Sequence, residues 1–261
     1  ALFFMIGMGV FGQGFVGKLA FPSANVSDRI EKTFTSVNFN MMIMVIYALI
    51  TIAIFGMWYY ARYEGNFLPS PKKTFNPMML MAIVILVPGT QFAANFIANL
   101  TGYIRPDWLQ QYNELFETSG ITDTTFVTVL YSVILAPICE ELIFRGVTMR
   151  CARKALPFAL ANLMQAALFG LFHLNWIQGI YAFALGIVLG YVCECGGSIY
   201  YSMGLHMLFN LWGTLSGFFP DPGNSVVVFV VVIVVTIVSL VVGFVLFNKG
   251  RRKLPINSTG I

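Results

Sequence analysis

Charge is what this chain of 261 residues has least of: Asp, Glu, Lys and Arg make up 10%, against 58% hydrophobic residues. Soluble domains average about 25% charged and roughly 45–50% apolar residues. A water-soluble globule of this size could not cover itself with so little charge and is excluded. The 15 Lys and Arg form no long basic stripe, which argues against nucleic acid as a partner. Cysteine is scarce too. Cys139, Cys151, Cys193 and Cys195 fit neither a zinc spacing nor a secreted disulfide framework, so they read as small, partly buried apolar residues. There is no internal repeat, and no low-complexity segment apart from the Val-rich stretch 226–247. The apolar run 1–17 lacks a basic n-region and does not read as a signal peptide.

What remains is a polytopic membrane protein. A spanning helix needs about 20 apolar residues, so the length accommodates up to eight spans and leaves no room for a separate soluble domain. The spans are expected at 1–17, 39–61, 75–100, 124–151, 157–174, 177–193, 198–219 and 226–247. Pro88-Gly89 is expected to kink the third. From Ala155 to Cys193 no charged residue occurs, which is too long for one span, so a break is placed near Asn175-Trp176. Polar stretch 101–123 carries Trp108, Leu109, Tyr112, Leu115 and Phe116 at helical spacing and predicts a short interfacial helix. The resulting fold class is an all-α membrane bundle of about eight helices, one domain over 1–261. The loops at 62–74 and 145–156 and the basic tail carry more Lys and Arg than the opposite loops, so the positive-inside rule places both termini in the cytoplasm.

Ionisable side chains inside spans cost roughly 2.5–3.5 kcal/mol each on insertion scales and mark function by default. Here they are Glu140, Glu141, Arg145, His173 and His206, and these two histidines are the chain's complement of 2. Glu141 and Arg145 are spaced i,i+4 and pair along one helix face. Glu140 is offset by about 100° and cannot share that face. Asn210 lies one turn beyond His206, so both can point into one cavity. At about 1.5 Å per residue these groups scatter around mid-membrane. Three helices can thus present a carboxylate, two imidazoles and a carboxamide to one buried point. A carboxylate in an apolar site becomes a better base near neutral pH. Imidazole and carboxamide N–H groups can stabilise an oxyanion, typically worth about 2.7–4 kcal/mol per donor. The combination suits amide hydrolysis inside a membrane. A proton-coupled transporter using the same groups as a relay would show inverted repeats, which are not found.

The three stretches Glu140-Glu141-Leu-Ile-Phe-Arg145, Phe169-Gly-Leu-Phe-His173 and His206-Met-Leu-Phe-Asn210 resemble the EExxxR, FxxxH and HxxxN motifs of the CAAX-protease and bacteriocin-processing family of intramembrane proteases. The resemblance covers about residues 124–219. Within the family it is greatest to the type II CAAX prenyl endopeptidases of the Ras-converting type. It implies an eight-helix bundle in the cell membrane of a prokaryote or the endoplasmic reticulum of a eukaryote. The implied activity is removal of the last three residues from a prenylated CAAX protein or lipidated peptide. Glu140 with His173 would activate water, His206 and Asn210 would form the oxyanion hole, and Glu141 and Arg145 would support the site. A leader-processing protease for bacteriocins or peptide pheromones, or an immunity protein without turnover, shares the same motifs. No cofactor is expected. Two histidines and a glutamate can hold zinc, but there is no HExxH and no cysteine at a zinc spacing.

Overall fold

The computed structural model describes residues 37–64, 76–119, 125–216 and 225–251. Among them all regular structure is helical. Helix α1 spans Val37–Tyr59 and runs on as a π-helical turn over Tyr60–Glu64. Then follow α2 (Pro77–Ile104), α3 (Pro106–Ser119), α4 (Phe126–Ala152), α5 (Phe158–Phe172), α6 (Trp176–Gly196), α7 (Ile199–Ser216) and α8 (Val226–Arg251). The short helix α3 and the break before Trp176 lie where the sequence predicts them. Asn175 makes that break local: its side chain accepts from the Gln178 amide at 3.1 Å and starts α6.

Five helices, α1, α2, α4, α6 and α8, are long and apolar enough to cross a bilayer. Helix α5 has 15 residues, about 22 Å at 1.5 Å per residue, short of the roughly 30 Å hydrocarbon core. Helix α7 carries Ser202, His206 and Asn210 within its 18 residues. The expected span over 1–17 lies outside the described residues. Five candidate spans are therefore present among the described residues, short of the eight expected.

Packing follows small residues. Helices α2 and α8 run antiparallel, with Met79 against Gly250, Leu86 against Gly243 and Gly89 against Ser239. Helix α2 continues through Pro88. Ser239 of α8 bridges the weakened rung: its hydroxyl accepts from the Gly89 N–H at 2.8 Å and donates to the Ile85 carbonyl. Such re-satisfaction by a neighbouring helix is how a membrane helix tolerates proline. Helices α5 and α6 form a hairpin in which Gly170 and Gly179 touch backbone to backbone. A Cβ on Gly170 would strike the Gly179 carbonyl oxygen. The main core, from Leu86, Leu189, Tyr201, Leu205 and Phe247, joins α2, α6, α7 and α8. The outward face of α8 is almost entirely valine and isoleucine, which suits lipid.

The two ends of the bundle differ in charge. One end gathers Arg62, Arg150, Arg153, Lys154, Lys249 and Arg251. It is tied together by Arg150 Nη2 donating to the Tyr59 hydroxyl at 3.0 Å, Asn76 Nδ2 donating to the Gly250 carbonyl at 3.1 Å, and an Arg153–Glu194 ion pair at 3.0 Å. The other end carries Arg105 and Asp107, exposed and paired at 2.6 Å. The Arg105 guanidinium holds the Asp107 carboxyl below its ordinary value. There Trp108 of α3 stacks on Trp176 of α6 at 5.4 Å. Of the cysteines, Cys139 and Cys193 are buried, Cys195 is half-buried and Cys151 is exposed, so the packing role expected of all four fails for Cys151.

Candidate active site

The site is organised by α4, which is not a uniform α-helix. An α-helical turn over Ala136–Glu141 lies between π-helical segments Leu130–Leu135 and Leu142–Met149. Pro137 lacks the N–H that an α-helix would aim at the Val133 carbonyl, so the regular ladder is already interrupted here. Wider π turns recur at functional sites, and here they flank the α-helical turn that presents two consecutive glutamates to different surroundings. Glu141 is fully buried, while the Glu140 side chain keeps 17% of its exposure.

Glu141 is the hub. Its Oε1 accepts from Arg145 Nη1 at 2.8 Å and from His206 Nδ1 at 3.0 Å. The i,i+4 pairing expected from the sequence is therefore present, with both partners at 0% exposure. Arg145 also donates from Nη2 to the Gly186 carbonyl at 3.2 Å, and its guanidinium lies 4.5 Å over the Phe169 ring. Glycine at 186 lets α6 approach, since a Cβ there would press on Ala166 and Phe169. A carboxylate can only accept, so His206 carries its proton on Nδ1 and turns Nε2 towards Glu140. That distance, His206 Nε2 to Glu140 Oε2, is 3.6 Å. Both glutamates thus reach one imidazole from opposite sides. The offset by 100° separates their faces as expected, yet α7 lies where it meets both.

Of the six residues singled out, Glu140 alone lines the adjoining cavity of about 140 Å³. This is roughly tenfold the 10–15 Å³ that admits one water. Its walls are otherwise apolar or aromatic and include Ile43, Met44 and Tyr47 of α1, Tyr131 and Ile143 of α4, and Phe172 of α5. Asn210 does not share that lining: its Nδ2 donates to the Ser132 carbonyl in the first π segment at 2.8 Å. His173 caps the end of α5, with Nδ1 donating to the Phe169 carbonyl at 2.8 Å. The next residue, Leu174, has φ 55°, the one non-glycine positive φ among the described residues. Such strain clusters at functional sites. The rings of His173 and His206 both meet Phe169 edge-on, at 4.9 and 5.8 Å. Phe169 is buried packing, and it is the piece that spaces the two histidines.

Sequence reasoning missed the neutral layer behind Arg145. Gln165 is fully buried, and its Nε2 donates to the Gly186 carbonyl at 2.8 Å and to Asn162 Oδ1 at 2.7 Å. Asn162 Nδ2 in turn donates to the Ile187 carbonyl at 3.0 Å. Two carboxamides three residues apart in an otherwise apolar run were the available signal, but a search for ionisable groups passes over them. Three buried atoms of this cluster, Glu141 Oε2, Arg145 Nε and Gln165 Oε1, make no hydrogen bond to another of the described residues. Among the described residues, no group of three or more His, Cys, Asp and Glu is arranged to hold a metal ion.

Comparison with known proteins then adds one finding. Residues 122–212 match the model of the family described as type II CAAX prenyl endopeptidase Rce1-like. The motif-bearing segment is Rce1-like. The match runs from the start of α4 into α7 and includes Glu140, Glu141, Arg145, His173, His206 and Asn210. An Rce1-like segment implies a protease, and here it sits in a chain with membrane-spanning helices. No curated protein and no solved structure matches the chain.

Proposed function

We propose that the protein is an intramembrane endopeptidase that cleaves the peptide bond after a prenylated cysteine and releases the C-terminal tripeptide of a CAAX protein. The observation that carries the reading is Glu140: a half-buried carboxylate on the wall of an apolar cavity, 3.6 Å from an imidazole that a second, fully buried glutamate holds in place. Glu140 takes a proton from water as the water oxygen attacks the scissile carbonyl carbon. His173, anchored through Nδ1, offers Nε2 to the same water. His206 Nε2–H, when the ring carries both protons, and the second N–H of Asn210 stabilise the oxyanion. The tetrahedral carbon then expels the amine, which receives the proton from Glu140. One product is the prenylated cysteine with a new carboxylate, the other a free tripeptide. Glu141 and Arg145 orient His206 and touch no substrate.

The apolar cavity lining suits a lipid-modified substrate that enters sideways from the bilayer, between α1 and α4. The concentration of Arg and Lys at one end of the bundle supports a cytoplasmic side for that end, and the reading that both termini are cytoplasmic rests on the loop charges of the sequence under the positive-inside rule. Glutamate chemistry without a metal is the mechanism of choice. The test offers purified protein three fluorogenic peptides: a farnesylated CAAX peptide, the same peptide without the prenyl group, and a bacteriocin-type leader peptide. Cleavage of the first alone supports the proposal. Cleavage of the leader peptide alone overturns the substrate, and cleavage of none overturns the activity.

A further inference from the structure

A second concavity lies on the outer side of the bundle, away from Glu140. It is a groove of about 480 Å³ between α5, α6 and α8, walled by Ala159, Leu163, Ile187, Val188, Tyr191 and Phe244 among others. Its few polar groups are engaged. Asn162 Nδ2 bonds the Ile187 carbonyl at 3.0 Å, and the Tyr191 hydroxyl donates to Asn248 at 2.8 Å. The walls therefore suit hydrocarbon.

One end of the groove is cationic. Arg251 follows Phe244 by seven residues, so it stands on the same face of α8, about two turns or ~10 Å further along. Arg153 and Lys154 lie in the turn before α5, whose first residues, Phe158 and Ala159, line the groove. Arg153 pairs with Glu194 at 3.0 Å, and Glu194 lies one turn beyond Tyr191 on α6. Three cations thus face one carboxylate. Helix α5 also begins here without a side-chain cap, its N-terminal residue before the helix being Pro157, so its first N–H groups and positive dipole end add to the field.

We propose that this groove binds an anionic glycerophospholipid, with one acyl chain along the groove and the phosphate at the Arg251–Lys154 end. Charge complementarity selects the occupant: a hydrocarbon track ending in excess positive charge fits an amphiphile with an anionic head. The inference rests on membrane embedding alone and stands whether or not the protein is a protease.

Native mass spectrometry of the protein, released from bilayers of equal phosphatidylglycerol and phosphatidylcholine with identical acyl chains, tests it. Each cation near a membrane surface favours an anionic lipid by about fivefold. One phosphatidylglycerol should therefore be retained preferentially. Arg251→Gln with Lys154→Gln should cut that preference by roughly 10- to 30-fold. Ala159→Phe and, separately, Leu163→Trp fill the groove from exposed positions and should each remove the retained lipid while leaving the melting temperature unchanged. Equal retention of the two lipids would overturn the proposal. So would a preference that survives both groove-filling variants in folded protein, because the lipid would then sit elsewhere.

Discussion

Replacing Arg145 with methionine tests the core of the structural account. The guanidinium pairs with Glu141 at 2.8 Å, donates to the Gly186 carbonyl at 3.2 Å and lies on the Phe169 ring, with no exposed surface. Removing it leaves the Glu141 charge buried with His206 as its remaining partner. Removing one partner of a buried ion pair costs about 3–5 kcal/mol. For a chain of this size each kcal/mol moves the melting temperature by about 2–4 °C, so Arg145→Met should lower it by roughly 6–20 °C. The second substitution Glu141→Gln removes the stranded charge and still offers His206 an acceptor. The double variant should regain at least about half of the loss, because replacing both members of a buried pair is often nearly neutral. Thermal unfolding in detergent, followed by tryptophan fluorescence, measures both. A melting temperature within about 2 °C of the parent, or a double variant no more stable than the single one, would refute the claim that Glu141 depends on Arg145.

Three further outcomes follow from the packing. Gln165→Leu removes a buried donor from Asn162 and Gly186, and should cost about 1–3 kcal/mol. A stability unchanged in detergent unfolding would show that the neutral layer behind Arg145 carries no strength. Ser239→Ala strips the hydroxyl that bridges Gly89 and Ile85. It should cost about 0.6–1.7 kcal/mol and speed amide hydrogen exchange at Gly89, which unchanged exchange would contradict. Gly170→Val forces a side chain against the Gly179 carbonyl and should separate α5 from α6, lowering stability by at least about 1–3 kcal/mol. Gly170→Ala in the same assay should be milder but of the same sign.

Much of the scaffold is legible in the sequence because lipid imposes simple rules. The charge deficit and apolar runs locate α1, α2, α4, α6 and α8 to within a few residues. Asn175 before Trp176 marks the hairpin between α5 and α6. The i,i+4 spacing of Glu141 and Arg145 gives their pairing, since both lie on one helix. What the sequence leaves open depends on register between helices. That His206 lies between two adjacent glutamates follows from where α7 crosses the α-helical turn Ala136–Glu141 of α4, and the π-helical segments on either side shift that turn away from the register a uniform 3.6-residue period would give. Ser239 meets the Pro88 break only through the antiparallel register of α2 and α8. Asn162 and Gln165 look like ordinary carboxamides until Gly186 brings α6 against them. His173 falls near the end of its helix in both readings, but the positive φ of Leu174 beside it is not written in the sequence.

The central claim is that Glu140 carries out the hydrolysis. Cleavage of a fluorogenic prenylated CAAX peptide by the purified protein, beside Glu140→Gln and with or without a strong chelator, tests it most directly. The side chain keeps 17% of its exposure and, among the described residues, its ion-pair contact is the 3.6 Å approach to His206, so the variant should stay folded with an unchanged melting temperature. The account predicts turnover that survives the chelator and is lost in Glu140→Gln. Cleavage at the parent rate by the folded variant would contradict it, and cleavage abolished by chelator and restored by zinc would replace glutamate chemistry with a metal.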